Sequence, residues 1–137
     1  MKRIQTLQNQ LLKVLSSKNY RFPTDKLHDE FDLLNIKDIT KQEIATFVHN
    51  FFSNSLPPVF NGYFETLASI HNRNSKNDSN LIKIQNYASN FATSSIKIQG
   101  AKVWNNLNNN LKNIVKVKTF RIKLKFSCFP YERVQVP

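Results

Sequence analysis

The chain is 137 residues long, 40% hydrophobic, with a formal net charge of +11. It is long enough for one modest core, and no run approaches the ~20 apolar residues that cross a bilayer. The single cysteine, Cys128, excludes an internal disulfide framework and suits a reducing compartment.

The opening Met1-Lys2-Arg3-Ile4-Gln5-Thr6 lacks the apolar core of a signal peptide. The expectation is therefore an intracellular protein, cytoplasmic or nuclear, with no membrane partner. Asparagine is abundant and forms neither helices nor strands well, so loose element boundaries are expected. The charge is uneven. Residues 1–65 hold eight basic and seven acidic side chains, or +1, and residues 66–137 hold twelve and two, or +10. This asymmetry points to an anionic partner for the second half, most often nucleic acid. The plainer reading is a solvated basic surface that serves solubility.

Ile4, Leu7, Leu11 and Val14/Leu15 recur at helical spacing and predict an amphipathic first helix ending near Ser16-Ser17. Pro23 stops it, and Thr24 can cap a second helix with Leu27, Phe31 and Leu34 on its inner face. Asp29, Glu30 and Asp32 read as that helix's solvated face. A third helix is predicted from a capping box of Thr40 and Glu43, with Ile39 stapled onto Ile44. Its stripe of Ile44, Phe47, Val48, Phe51 and Phe52 is expected to be core. Pro57-Pro58 ends it and can open a further helix carrying Phe60, Tyr63, Phe64 and Leu67.

Residues 71–80 contain no apolar side chain and read as a polar loop, either a plain linker or one in which Arg73 and Lys76 meet phosphate. Beyond it, Ile-Lys-Ile-Gln occurs at Ile82 and again fourteen residues later at Ile96. The alternation predicts a β-hairpin, around 81–86 and 95–99, with a loop near Phe91. Ile82, Ile84, Ile96 and Ile98 would share its buried face. A chance repeat in an Asn/Lys/Ile-rich chain is the alternative. Gly100 would break the second strand, and Trp104, Leu107, Leu111 and Ile114 then follow helical spacing. Trp104, the only tryptophan, is expected to be a packing centre. Lys116 to Lys125 fits either a strand or a helix; helix is preferred because Val117, Phe120 and Leu124 share a helical face.

Four stretches carry a resemblance. Gly100-Ala-Lys-Val-Trp-Asn-Asn-Leu107, followed by Leu111-Lys112, resembles the Gly-x-Lys-x-Trp-Asn-x-Leu-Pro-x-x-Ile-Lys pattern near the C-terminus of reverse transcriptases of non-LTR, jockey-like retrotransposons. Leu56-Pro57-Pro58-Val59-Phe60-Asn61-Gly62-Tyr63-Phe64 resembles that family's Leu-Pro-x-x-Phe-x-x-Tyr-Phe. Ile70 to Lys76 resembles its Ile-His-x-Tyr-x-Thr-Arg, and Leu7 to Lys13 its Leu-Gln-Asn-Lys-Ala-Leu-Arg helix after the polymerase palm. The order is kept from about Lys2 to Leu124. The chain departs from the pattern at Asn108, where Pro is usual, and at Arg73, where Tyr is usual. Phe126 to Pro137 matches no part of it.

The resemblance implies a post-palm region, thumb and beyond, that grips template and primer while an upstream palm, missing here, does the chemistry. Phosphoryl transfer in polymerases needs metal-bridging carboxylates, and no Asp-Asp pair occurs in this sequence. The chain alone is accordingly expected not to be an enzyme. His28, His49 and His71 with one cysteine give no zinc-ligand spacing, and Gly62 and Gly100 give no phosphate-binding loop; no metal and no cofactor are expected.

The expected architecture is mainly α, a small helical domain of about five to six helices with one β-hairpin. It divides into a helical subdomain at 1–68, a polar loop at 69–80, a hairpin with basic C-terminal helices at 81–126, and a flexible tail at 127–137. The expected function is a non-catalytic C-terminal fragment of an RNA-directed DNA polymerase making weak, non-specific contacts with an RNA or DNA backbone. Lys97, Lys102, Lys112, Lys116, Lys118, Arg121, Lys123 and Lys125 are the candidates for those contacts, since Lys and Arg on phosphate supply affinity without sequence reading. The alternatives are a helical protein-interaction module that uses the Phe47 to Phe52 stripe, or an inactive remnant of a mobile element.

Overall fold

The computed structural model describes residues 2–71, 81–85 and 89–128. The first helix, α1, runs Lys2–Leu15 and stops where Ser17 turns into the left-handed region, φ +52°. Helix α2 runs Thr24–Glu30 and α3 runs Ile36–Phe52. A 3-10 turn at Pro58–Phe60 follows, then α4 at Leu67–His71, α5 at Asn90–Thr93 and α6 at Ile96–Asn105. A short α7 at Asn109–Lys112 leads into α8 at Val117–Cys128. The prolines open only the 3-10 turn. Gly62, at φ +73°, then turns the chain, because that backbone conformation strains any residue with a Cβ. The 69–80 loop loses its first residues to α4, and its remainder, like residues 129–137 of the expected tail, lies outside the described residues.

Helix α3 is the axis of the fold, with α6 and α8 packed on it. Their shared core holds Ala45, Val48, Phe64, Ile82, Ala101, Trp104, Leu107, Leu111, Phe120 and Leu124. Trp104 stacks on Phe52 with ring centroids 5.0 Å apart and planes 22° apart. Phe120 stacks on His49 at 4.4 Å. Phe47, Phe51, Phe60, Tyr63 and Phe64 meet edge to face beside them, the geometry that ring quadrupoles favour. The Phe47 to Phe52 stripe is thus built into the core and its margin.

The expected β-hairpin does not form; among the described residues there is no strand. Ile96 to Gln99 is the first turn of α6. Its buried residues are Ile98, Gly100, Ala101 and Trp104, a helical face on which two small residues lie between two large ones. Ile84 is 40% and Ile96 51% exposed, so the two isoleucine pairs share no buried face. Segment 81–85 forms an isolated antiparallel bridge, Thr66 to Ile82, with Leu67 N–H donating to Leu81 O at 2.9 Å and Lys83 N–H to Glu65 O at 2.8 Å. On its other side the Asn105 side chain stands in for a strand. It donates to Ile82 O at 2.8 Å and accepts from Ile82 N–H at 2.9 Å. Both polar groups of a buried residue are satisfied this way, so no second strand is needed. Gly100 ends nothing. It lies inside α6, where an added Cβ would sit 3.0 Å from Val48 Cγ2 and 3.1 Å from Phe64 Cζ.

Two helix starts also differ from expectation. Pro23, not Thr24, is the N-cap of α2, without a side-chain hydrogen bond. Helix α3 begins a turn earlier than the Thr40–Glu43 box, at Asn35, whose Oδ1 accepts from Asp38 N–H at 2.9 Å. Thr40 is inside the helix and donates back to Ile36 O at 2.8 Å. Asn and Ser/Thr cap by the same side-chain oxygen, and the apolar Ile36 one step later hides the earlier start. Asn35→Ala is therefore expected to cost about 1 kcal/mol in urea denaturation. Thr40→Ala should be neutral or slightly stabilising, since alanine is the better helix former. Equal losses for the two would return the helix start to Thr40.

Candidate nucleic-acid interface

Helix α8 presents its buried side, Phe120 and Leu124, to the core. Ile122 and Phe126, on the opposite face by their spacing, are both more than half exposed. Lys118 and Lys123 flank that outward face, and Lys116 precedes the helix; all three are exposed. Lys102, also exposed, stands on a different helix, α6. Among the described residues none of these four lysines is in an ion pair.

The other four candidates have work inside the molecule. Arg121 pairs with Glu43 of α3. Lys125 Nζ reaches Asp32 Oδ2 at 2.7 Å and Asp32 O at 2.8 Å, which ties α8 to the turn after α2. Lys97 Nζ lies 5.8 Å from the Tyr63 ring centroid, a cation–π distance. Lys112 Nζ donates to Asn105 O at 3.4 Å, and burial pushes its pKa below the usual lysine value, because desolvation disfavours the charged form. The sequence thus brought together eight cations that the fold separates into an exposed set and an engaged set.

Two polar residues matter more than their spacing suggested. Asn105 holds segment 81–85, as described above. His49 is buried in the core, and its Nε2–H donates to Ile114 O at 2.6 Å. The carbonyl can only accept, so Nε2 carries a proton, while Nδ1 has no partner among the described residues. His28 sits elsewhere, between Asn9 Oδ1 at 3.0 Å and Leu33 O at 3.2 Å. Among the described residues no three His, Cys, Asp or Glu side chains gather as a metal site would require. A recess of about 290 Å³, lined by Phe51, Asn54, Leu56, Phe60, Asn61 and Gly62, contains no ionisable side chain. Among the described residues, no helix is long and apolar enough to cross a membrane.

No protein-family model matches the chain, and no curated protein or solved structure is significantly similar to it.

Proposed function

We propose that the chain is the non-catalytic C-terminal region of a non-LTR retrotransposon reverse transcriptase and that it holds an RNA or DNA backbone. The observation that carries this reading is the set of exposed lysines, Lys102, Lys116, Lys118 and Lys123, within a half of the chain that carries +10. Unpaired lysines on a surface with so few acids attract phosphate from a distance and neutralise it on contact. The resembling segments add support. Phe64 from one and Gly100, Trp104 and Leu107 from another meet in a single core, so those residue types have a packing reason to recur together.

The test is a salt series with a labelled single strand. Each phosphate neutralised on a single strand contributes about −0.7 to the slope of log affinity against log salt, so four contacts give about −3. Changing Lys102, Lys116, Lys118 and Lys123 together to Gln is expected to remove most of that slope. Changing Arg121 and Lys125 to Gln should leave most of it, since both already face carboxylates. A flat salt dependence in the parent, or a quadruple variant that binds as well as the parent, would leave only a solvated basic surface.

A further inference from the structure

Helix α1 docks by its polar side. An amphipathic helix ordinarily turns its apolar stripe to the core. Here Ile4, Leu7, Leu11, Val14 and Leu15 all face outward, from 55% exposed at Ile4 to 75% at Val14. Leu12 is the only buried residue of the helix. What orients α1 is a chain of hydrogen bonds from Gln5, Gln8 and Asn9. Ile36 N–H donates to Gln5 Oε1 at 2.8 Å. That fixes the Gln5 amide, whose Nε2 then donates to Gln8 Oε1 at 3.0 Å and to Asn9 Oδ1 at 2.9 Å. Gln8 Nε2 donates to Leu34 O at 3.0 Å, which agrees with the same direction.

The chain of bonds ends on His28, which is buried. Asn9 Oδ1, already facing Gln5, lies 3.0 Å from His28 Nε2. Turning the Asn9 amide over would set its NH2 against that of Gln5, donor against donor. His28 Nε2 must therefore carry a proton to make this bond. The other ring nitrogen, Nδ1, lies 3.2 Å from Leu33 O, and a carbonyl only accepts. A neutral imidazole has one N–H, so both bonds exist together only on the imidazolium.

We propose that His28 is a proton-dependent latch for α1. With both nitrogens protonated the ring ties Asn9 of α1 to the turn after α2. Loss of one proton leaves a lone pair against an oxygen. The bond to Asn9 then breaks, or falls from a charge-assisted bond to an ordinary one. The latch is therefore complete at low pH and weakened at high pH, across the range of about pH 5 to 8 in which histidine changes charge. The surroundings suit a cation. His28 is in the last turn of α2, the end of a helix that favours positive charge. Residues 25–32 hold Asp25, Asp29, Glu30 and Asp32 against Lys26 alone. The charges on the neighbouring elements are occupied. On α1, Lys13 donates to Tyr20 O. Lys125 of α8 is held by Asp32, and at the start of α3 Asp38 pairs with Lys41 at 3.9 Å, leaving the exposed Lys37.

The test is hydrogen exchange of the full chain by mass spectrometry at about pH 5.5 and about pH 8, on either side of the histidine range. Each rate is divided by that of an unstructured peptide at the same pH. Protection of residues 2–15, relative to α3, is expected to fall by about fivefold or more at the higher pH, because a hydrogen bond from a charged donor outweighs a neutral one. His28→Gln should abolish this pH dependence. Asn9→Asp is the second variant, and it decides the matter if the first does not fold. Its carboxylate still accepts from Gln5 and His28, and it favours the imidazolium, so α1 should stay protected to higher pH than in the parent. Equal protection of α1 at both pH values in the parent overturns the proposal. So does a fall that persists in His28→Gln, which would assign it to another group such as His49. An Asn9→Asp variant that loses protection at the parent's pH, or below it, overturns it as well.

Discussion

Trp104→Ala is expected to cost about 3–5 kcal/mol, the usual loss for truncating a large buried aromatic. The indole is 2% exposed and joins three helices. From α6 it stacks on Phe52 of α3, and its centroid lies 6.4 Å from His49 of α3 and 6.2 Å from Phe120 of α8. Removing it leaves a void bordered by rigid rings, which cannot collapse into the space as aliphatic side chains can, so the cavity contribution should be near its upper range. A small domain has about 5–15 kcal/mol to lose in all. The variant should therefore unfold at a much lower urea concentration, followed by far-ultraviolet circular dichroism because the only indole is gone. Trp104→Phe should recover a large part of the loss by keeping the stack on Phe52. An alanine variant with an unchanged urea midpoint would show that α3, α6 and α8 are not joined through this ring.

Gly100→Val should be the next most damaging change, at about 2–3 kcal/mol, the upper part of the range for overpacking a filled core. The size of the effect follows from two opposed quantities. Glycine inside a helix costs about 1 kcal/mol relative to alanine, so alanine at this position begins with an advantage. Its Cβ, however, would meet Val48 Cγ2 at 3.0 Å and the Phe64 ring at 3.1 Å, and both must give by a few tenths of an ångström. Gly100→Ala should accordingly stay within about 1 kcal/mol of the parent. Valine adds two methyl groups to the same space and loses rotamer freedom in a helix, so nothing offsets its clash. A valine variant as stable as the parent would mean that α6 does not lie against Val48 and Phe64 at this point.

Both variants bear on a question the local sequence could not answer. The segment Ile96 to Gln99 alternates apolar and polar residues and contains isoleucines that suit a strand. Read alone it has the period of a half-buried strand, and Gly100 looks like its end. What decides for a helix is the face formed with residues further on, Ile98, Ala101 and Trp104, together with the absence of a Cβ at Gly100, which lets α6 approach α3. Alanine and glycine carry little weight in a pattern of large apolar residues, although in a packed interface they are the positions where helices come closest. The cap of α3 is hidden in the sequence for a related reason. Asn35 is one more asparagine in an asparagine-rich chain, whereas Thr40 with Glu43 has the form of a complete box.

The sequence by itself determined the helical character of the first and third helices, because their apolar periods persist over several turns; for the last it allowed a strand as well as the helix that forms. It also determined that Trp104 is core and that the second half of the chain is basic. Only the tertiary structure decided which cations face solvent. Arg121 meets Glu43 across 78 residues of sequence, and Lys125 meets Asp32 across 93; no local pattern encodes such pairs, since charge has no periodicity that names its partner. The direction of α1 was decided there as well. Its stripe is plain in the sequence, and burial would be the ordinary inference. The hydrogen bonds of Gln5, Gln8 and Asn9 to distant residues turn it outward instead, because a helix docks by whichever face finds complementary groups, and those groups belong to α2, its following turn and the start of α3.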